Sequence, residues 1–470
     1  MKFRIFIILM VIALIIMGVN PVTVKAGAYE SDFVTSITYQ NIGLATTTTL
    51  SLLFYDSPTD TSPFVHTLNN LASYASSSIY VGSILSTSFE GTAVMAADQP
   101  MAAVLVQVST NSAVKVRPLS NGFVSGTPTT LVPTVFKASN INTIFSVQNA
   151  GTSDTTATIK FINTSATQVH SFDQLLKPGA GIVVDAGTLA ALGTSFNGSV
   201  VVESTPAGSL VSSAMELGTG ADVTGRAFEG VGQGATTVYL PSAACNASNQ
   251  TSYYAIQNTS LSQSTNVTVT YSNGSSRTKT IGPGAKQSFS GCEVDTGTMP
   301  NGFGGSAVVT SNTTPIVAVG KTAGLGWQTA YLGFVTGAPK VALPYVRWAN
   351  NSYFVTGGYQ RTYIAIQNLS GFSIPANEVR IRYIDQNGVL KGTHTINTAI
   401  ANGGKVNSDP TKASLTEFGY WNNYTVAGGG AIVEYTGSTP GVQLAVIARI
   451  ITYTGPTTFA GEDYSGIPIP

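Results

Sequence analysis

The chain has 470 residues, 22 basic and 22 acidic side chains, and a formal net charge of zero. At 9% charged and 43% hydrophobic residues, against about 25% charged in ordinary globular domains, it is neither a disordered polyelectrolyte nor a nucleic-acid binder, because phosphate recognition needs clustered Lys and Arg. With 49 glycines and abundant Ser, Thr and Asn, its surface is expected to be hydroxyl- and amide-rich, and weak charge repulsion predicts a homo-oligomer or polymer.

At the N-terminus, Lys2 and Arg4 precede an apolar run from Ile5 to Val19, and Ala26, Gly27 and Ala28 follow. That run is shorter than the roughly 20 residues of a bilayer span. The pattern predicts a secretory signal peptide over residues 1–26, with a mature chain from near Gly27 or Tyr29; an uncleaved anchor is the alternative. An extracellular or cell-surface location follows, with no membrane insertion after signal cleavage.

A strand ending in Gln-Asn then recurs as Ile37 to Asn41, Phe145 to Asn149, Tyr254 to Asn258 and Ile364 to Asn368. The asparagines are 108, 109 and 110 residues apart, from 149−41, 258−149 and 368−258. A conserved period of this size marks a repeat architecture. After each copy comes a strand of alternating apolar residues: Leu50, Leu52 and Phe54; Ala157, Ile159 and Phe161; Val267, Val269 and Tyr271; Val379, Ile381 and Tyr383. A period of two places these on one sheet face. A turn follows at Pro178-Gly179, Pro283-Gly284 and Gly403-Gly404, then a strand led by Gly91, Gly198, Gly305 or Gly430.

Short β-branched runs bounded by Gly, Pro and Asn turns read as antiparallel sheet. About 100 residues with six to eight strands fit a two-layer sandwich; a small barrel or a solenoid competes, although a solenoid needs a shorter period. The fold class is therefore all-β, a tandem array of four antiparallel β-sandwich-like domains after a signal peptide. The domains cover 27–127, 128–235, 236–338 and 339–470, and the short joints predict a semi-rigid rod.

The array's ends differ from its middle. Copies two to four open with strands containing Val132-Pro133, Leu240-Pro241 and Leu343-Pro344, whereas the matching position in the first copy, Lys25, falls at the expected cleavage point. The first domain is expected to lack an opening strand and expose an edge. The terminal Ile467, Pro468, Ile469 and Pro470 are the candidate assembly segment, donated to a neighbour's first domain; the alternative is that the end domains close with fewer strands.

Chemistry-bearing patterns are sparse. Cys245 and Cys292 are the two cysteines, and in an exported domain they predict a disulfide. His66, His170 and His394 fall in separate copies without ligand spacing, and Asp32, Asp56, Glu90, Glu203, Glu216, Glu434 and Asp463 read as loop or edge charges. No enzyme, metal or cofactor is expected. Trp327, Tyr331, Trp348 and Trp421, with Tyr345, Tyr353 and Tyr359 between them, either pack between domains or stack on a ligand. Asn-x-Ser/Thr sequons, among them Asn246, Asn258 and Asn368, allow a glycoprotein.

The x-Ile-Gln-Asn strand, the alternating Val-Thr-Val-Thr-Tyr strand, the Pro-Gly turn and the Gly-Ser-Ala-Val-Val strand together resemble exported bacterial or archaeal surface proteins built from tandem β-sandwich repeats. The resemblance implies a structural or adhesive protein, such as a filament or sheath subunit assembled through domain ends. A secreted carbohydrate- or protein-binding module array without catalysis is the alternative; a surface glycan or an envelope protein is the implied partner.

Overall fold

The computed structural model describes residues 32–85, 88–110, 116–218, 224–324, 326–350, 358–419, 429–455 and 458–469. The expected signal peptide over residues 1–26, Tyr353, Trp421 and Pro470 lie outside the described residues. Among those residues the chain is all-β: antiparallel strands, three short 3-10 turns and no α-helix.

The second copy sets the pattern. One layer runs, edge to edge, through Gln168–Leu176, Thr155–Asn163, Phe196–Thr205 and the opening strand Thr129–Lys137. The other runs through Gly181–Asp185, the Gln-Asn strand Ile141–Asn149, Leu210–Gly218 and the last strand Gly225–Glu229. A single ladder pair, Lys137 with Asn142, joins the layers. The alternating Ala157, Ile159 and Phe161 point inward with Val132, Val147, Val200 and Val202, all fully buried.

The third copy repeats both layers, with Thr237–Cys245 as opening strand beside the glycine-led Phe303–Ser311. The fourth does so with Lys340–Leu343 beside Gly429–Tyr435. In the first copy the corresponding layer has three strands, Phe64–Thr67, Leu50–Tyr55 and Thr92–Ala97, and among the described residues Thr92–Ala97 pairs on one side only.

The repeated asparagine has one physical role in all four places. Asn41, Asn149, Asn258 and Asn368 are fully buried. Each donates its amide to a carbonyl in the following loop and to another across the sandwich: Ala45 and Leu71, Ser153 and Leu176, Gln263 and Ile281, Phe372 and Ile400. Each side-chain oxygen accepts the N–H two residues on, from Gly43, Gly151, Ser260 or Ser370. The asparagine thus satisfies backbone groups stranded where a strand becomes a turn. Asn258 and Asn368, which read as sequons, are in this role and inaccessible to glycosylation. The leading glycine answers a different demand: a Cβ on Gly198 would lie 2.1 Å from the Ile162 carbonyl, and one on Gly91 2.1 Å from that of Tyr55.

The rod expected from the short joints is not what the domains form; they close into a ring. Between the first and second domains, Thr92 Oγ1 donates to the Gly179 carbonyl at 3.1 Å. The equivalent Ser199 and Ser306 donate to Gly284 at 2.7 Å and Gly403 at 2.8 Å across the next two seams. The fourth domain then returns to the first, where Lys340 Nζ donates to Tyr74 Oη at 2.8 Å and Asn121 Nδ2 to the Ser465 carbonyl at 2.7 Å. Val104, Val106 and Leu119 of the first domain share one apolar core with Val341, Tyr345 and Tyr464 of the fourth. The reason is where apolar surface lies: each domain buries a flank against both neighbours, which a rod would leave wet at its two ends.

Candidate functional site

The four closing strands, Leu119–Asn121, Gly225–Glu229, Trp327–Leu332 and Thr458–Ser465, carry the side chains that meet at the ring's centre. Val116, Gly225, Trp327 and Phe459, one from each domain, line a space of only about 10 Å³. Trp327 fills it: a Cβ on Gly461 would lie 2.5 Å from its ring. Trp327 and Tyr331 are buried, and Tyr331 Oη donates to the Ser242 carbonyl at 2.7 Å. These two of the candidate aromatics are therefore packing residues.

A buried acid sits at every seam. Glu229 Oε1 of the second domain accepts the backbone N–H of Asn121 of the first at 2.5 Å. Glu216 receives Arg226 from its own domain at 2.5 Å and Lys321 from the third at 2.6 Å. Burial alone would raise the Glu216 carboxyl, but Arg226 and Lys321 overcome it and hold it at about 2. Lys321 is pushed down to about 8 by burial despite Glu216, and burial drives Lys286 well below the usual lysine range. Both Nζ atoms lie over the Phe136 ring, at 5.1 and 4.0 Å.

Asp463 pairs with Arg449 at 2.7 Å and accepts Thr329 Oγ1 of the third domain at 2.8 Å, while Arg449 reaches Thr322 at 2.9 Å. At the closing seam Glu462 pairs with Arg117, which also donates to Tyr345 Oη at 3.0 Å. Complete burial raises the Glu462 carboxyl to about 7 even against Arg117. Glu216, Glu434 and Asp463 are thus paired, largely buried groups and not free loop charges. None of these groups forms a metal-binding cluster among the described residues; their chemistry is cohesion.

What faces outward is an aromatic row on the fourth domain. Tyr359, Arg361 and Tyr363 alternate along Tyr359–Asn368 and so share one face. Across the strands Arg361 lies opposite Trp348 and Tyr453 opposite Phe459, and Tyr359 and Tyr453 flank the last paired residues Gln360 and Thr452. Trp348 meets Tyr363 edge-on at 5.8 Å. The Arg361 guanidinium bridges the rings of Trp348 and Tyr359, 5.0 and 4.7 Å away. Tyr359 stacks on Tyr453 at 5.1 Å, and Tyr453 meets Phe459 at 5.5 Å. Tyr363 is 46% exposed and the others are partly exposed. Trp348 was legible as a candidate; Arg361, Tyr363, Tyr453 and Phe459 were not singled out, although the i, i+2 spacing of Tyr359, Arg361 and Tyr363 carried the signal.

The predicted disulfide is formed, Cys245 to Cys292, with an S–S distance of 2.07 Å. The candidate assembly tail is engaged within its own domain: Ile467 and Pro468 add a fifth strand beside Lys340–Leu343, and the Ile469 N–H donates to the Lys340 carbonyl at 3.0 Å. His66, His170 and His394 lie on three separate strands.

No family model matches the chain, and no curated protein matches it. Among solved structures, the adhesive subunit CfaE of the CFA/I fimbria of enterotoxigenic Escherichia coli is similar over 49% of this chain and 85% of its own, at 10% identity and a TM-score of 0.11. That likeness is below the level of a shared fold.

Proposed function

We propose that this chain is an exported, non-catalytic surface protein that works by adhesion, the ring acting as a rigid mount and the aromatic row of the fourth domain as the contact. The row itself carries the reading. Flat rings side by side on a sheet, with a guanidinium between two of them, offer stacking faces and donors to a partner that is apolar on its faces and hydroxylated at its edges. A surface carbohydrate has that chemistry. The disulfide and the leader-like N-terminus support an extracellular site of action.

Assembly into filaments through the tail is not part of this proposal, because Ile467 and Pro468 are already paired. The test is binding of the secreted protein to an array of bacterial and plant polysaccharides, with Tyr363→Ala and Tyr453→Ala as variants. We expect a bound polysaccharide whose affinity falls at least tenfold in each variant while each variant still unfolds in a cooperative transition. Binding that ignores both substitutions, or no binding across the array, would remove the adhesive reading.

A further inference from the structure

We infer that the first domain is a strand acceptor: the slot between the side of Thr92–Ala97 that has no ladder partner among the described residues and the segment Gly122 to Ser125 takes an extended segment of a second polypeptide with apolar side chains at alternate positions. The inference rests on the export reading above for one point only, the removal of residues 1–26.

The rest follows from comparing the four copies. In each of the other three domains an opening strand lies between the glycine-led strand and the residue after the closing glycine. Val231 pairs with Leu131, Phe334 with Tyr239 and Ile467 with Ala342. The same closing sequence, Gly-Phe-Val, stands at Gly122 to Val124 and Gly333 to Val335. In the third domain Phe334 exchanges backbone hydrogen bonds with Tyr239 at 2.8 and 2.9 Å, and Gly333 is buried. In the first, Gly122 through Ser125 are all exposed, Val124 at 86%.

The core side of the slot agrees. Two and four residues after the leading glycine, Val200 and Val202 in the second domain and Ala307 and Val309 in the third are at 1% exposure or less. Their counterparts Ala93 and Met95 pack on the first domain's core yet stay partly exposed. The Ala93 carbonyl accepts Gln148 Nε2 at 3.2 Å, and beyond that contact Thr92–Ala97 has no second ladder partner among the described residues; a sheet edge of this kind above an incompletely covered apolar face is what strand addition uses.

The filled slots also define the occupant. Each opening strand sends apolar residues inward, Val132 and Val135, Val238 and Leu240, or Val341 and Leu343. By the 108-residue offset, the residues of this chain opposite Thr129–Lys137 are 21–29, most of which the leader removal takes away. The occupant of the mature domain is then a separate polypeptide.

The experiment uses the secreted protein, its N-terminus fixed by sequencing. It is titrated with a labelled peptide of residues 129–137, and with the same peptide carrying V132D and V135D, while hydrogen exchange is followed along the protein. We expect saturable one-to-one binding, at least tenfold weaker for the substituted peptide, and at least tenfold slower exchange in Thr92–Ala97 and Gly122 to Ser125 but not in Phe303–Ser311. An N-terminus at or after Gly27 with no binding, or with binding that leaves those two segments unprotected, overturns the acceptor. An N-terminus upstream of Gly27 overturns the export reading and the acceptor with it.

Discussion

The first and third domains are built from the same repeat, and they differ in how completely each is closed. The third has its opening strand, its closing Phe334 on that strand, and a disulfide from Cys245 on the opening strand to Cys292. The first has a layer of three strands among the described residues, an exposed Phe123 and no cysteine. Identical local sequence thus reaches different burial according to what lies beside it, which is tertiary context overriding propensity.

The largest expected break in that comparison is the disulfide. Opening a 47-residue loop costs about 4 kcal/mol by the loop-entropy estimate. Cys245→Ser with Cys292→Ser should lower the denaturation midpoint of the third domain and leave the exchange protection of Phe33–Asn41 unchanged; equal losses in both domains would show that they unfold as one unit.

The seams come next, and they titrate in opposite senses. Glu216 has a folded value of about 2 against 4.5 unfolded. Its stabilisation, on the order of 3 kcal/mol, is present above 4.5 and lost as pH falls through about 2. Glu462 is raised to about 7, so its contribution is full below 4.5 and lost as pH rises through about 7. Acid should therefore loosen the seam between domains two and three, while mild alkali should loosen the seam between four and one. Exchange at Lys321 and at Glu462, followed from pH 3 to 9, reads the two directions; Glu462→Gln should flatten the alkaline loss.

The smallest effect is the sharpest comparison. Phe334→Ser should cost about 2 kcal/mol, as truncation of a half-buried aromatic, whereas Phe123→Ser at the same repeat position should stay within about 0.5 kcal/mol. Saturating the first domain with the residue 129–137 peptide should make Phe123→Ser costly as well. A Phe123→Ser penalty equal to that of Phe334→Ser without peptide would contradict an open slot.

Much of the fold was legible because it is local. The Gln-Asn strand, the alternating faces and the glycine turns are set within a few residues, as with the hairpin at Gly388, φ 84°, which the Asp385 N–H closes by donating to the Val389 carbonyl. The ring was not: Asn121 with Ser465 and Arg117 with Tyr345 are 344 and 228 residues apart, and nothing in a repeat period fixes the rotation between copies. For the same reason Glu216 and Asp463 looked like solitary surface acids, since their partners Lys321 and Thr329 lie on the next or previous domain. The aromatic row was half visible, because Tyr453 and Phe459 join it across strands and not along the sequence.

The closed ring is the claim on which the mount, the seams and the position of the open slot all depend, and small-angle X-ray scattering of the mature protein tests it most directly. A compact chain of this length has a radius of gyration of about 22 Å, whereas four such domains end to end give about 40 Å. The ring predicts a value close to the first, unchanged from pH 5 to 7; a value near the second would contradict it.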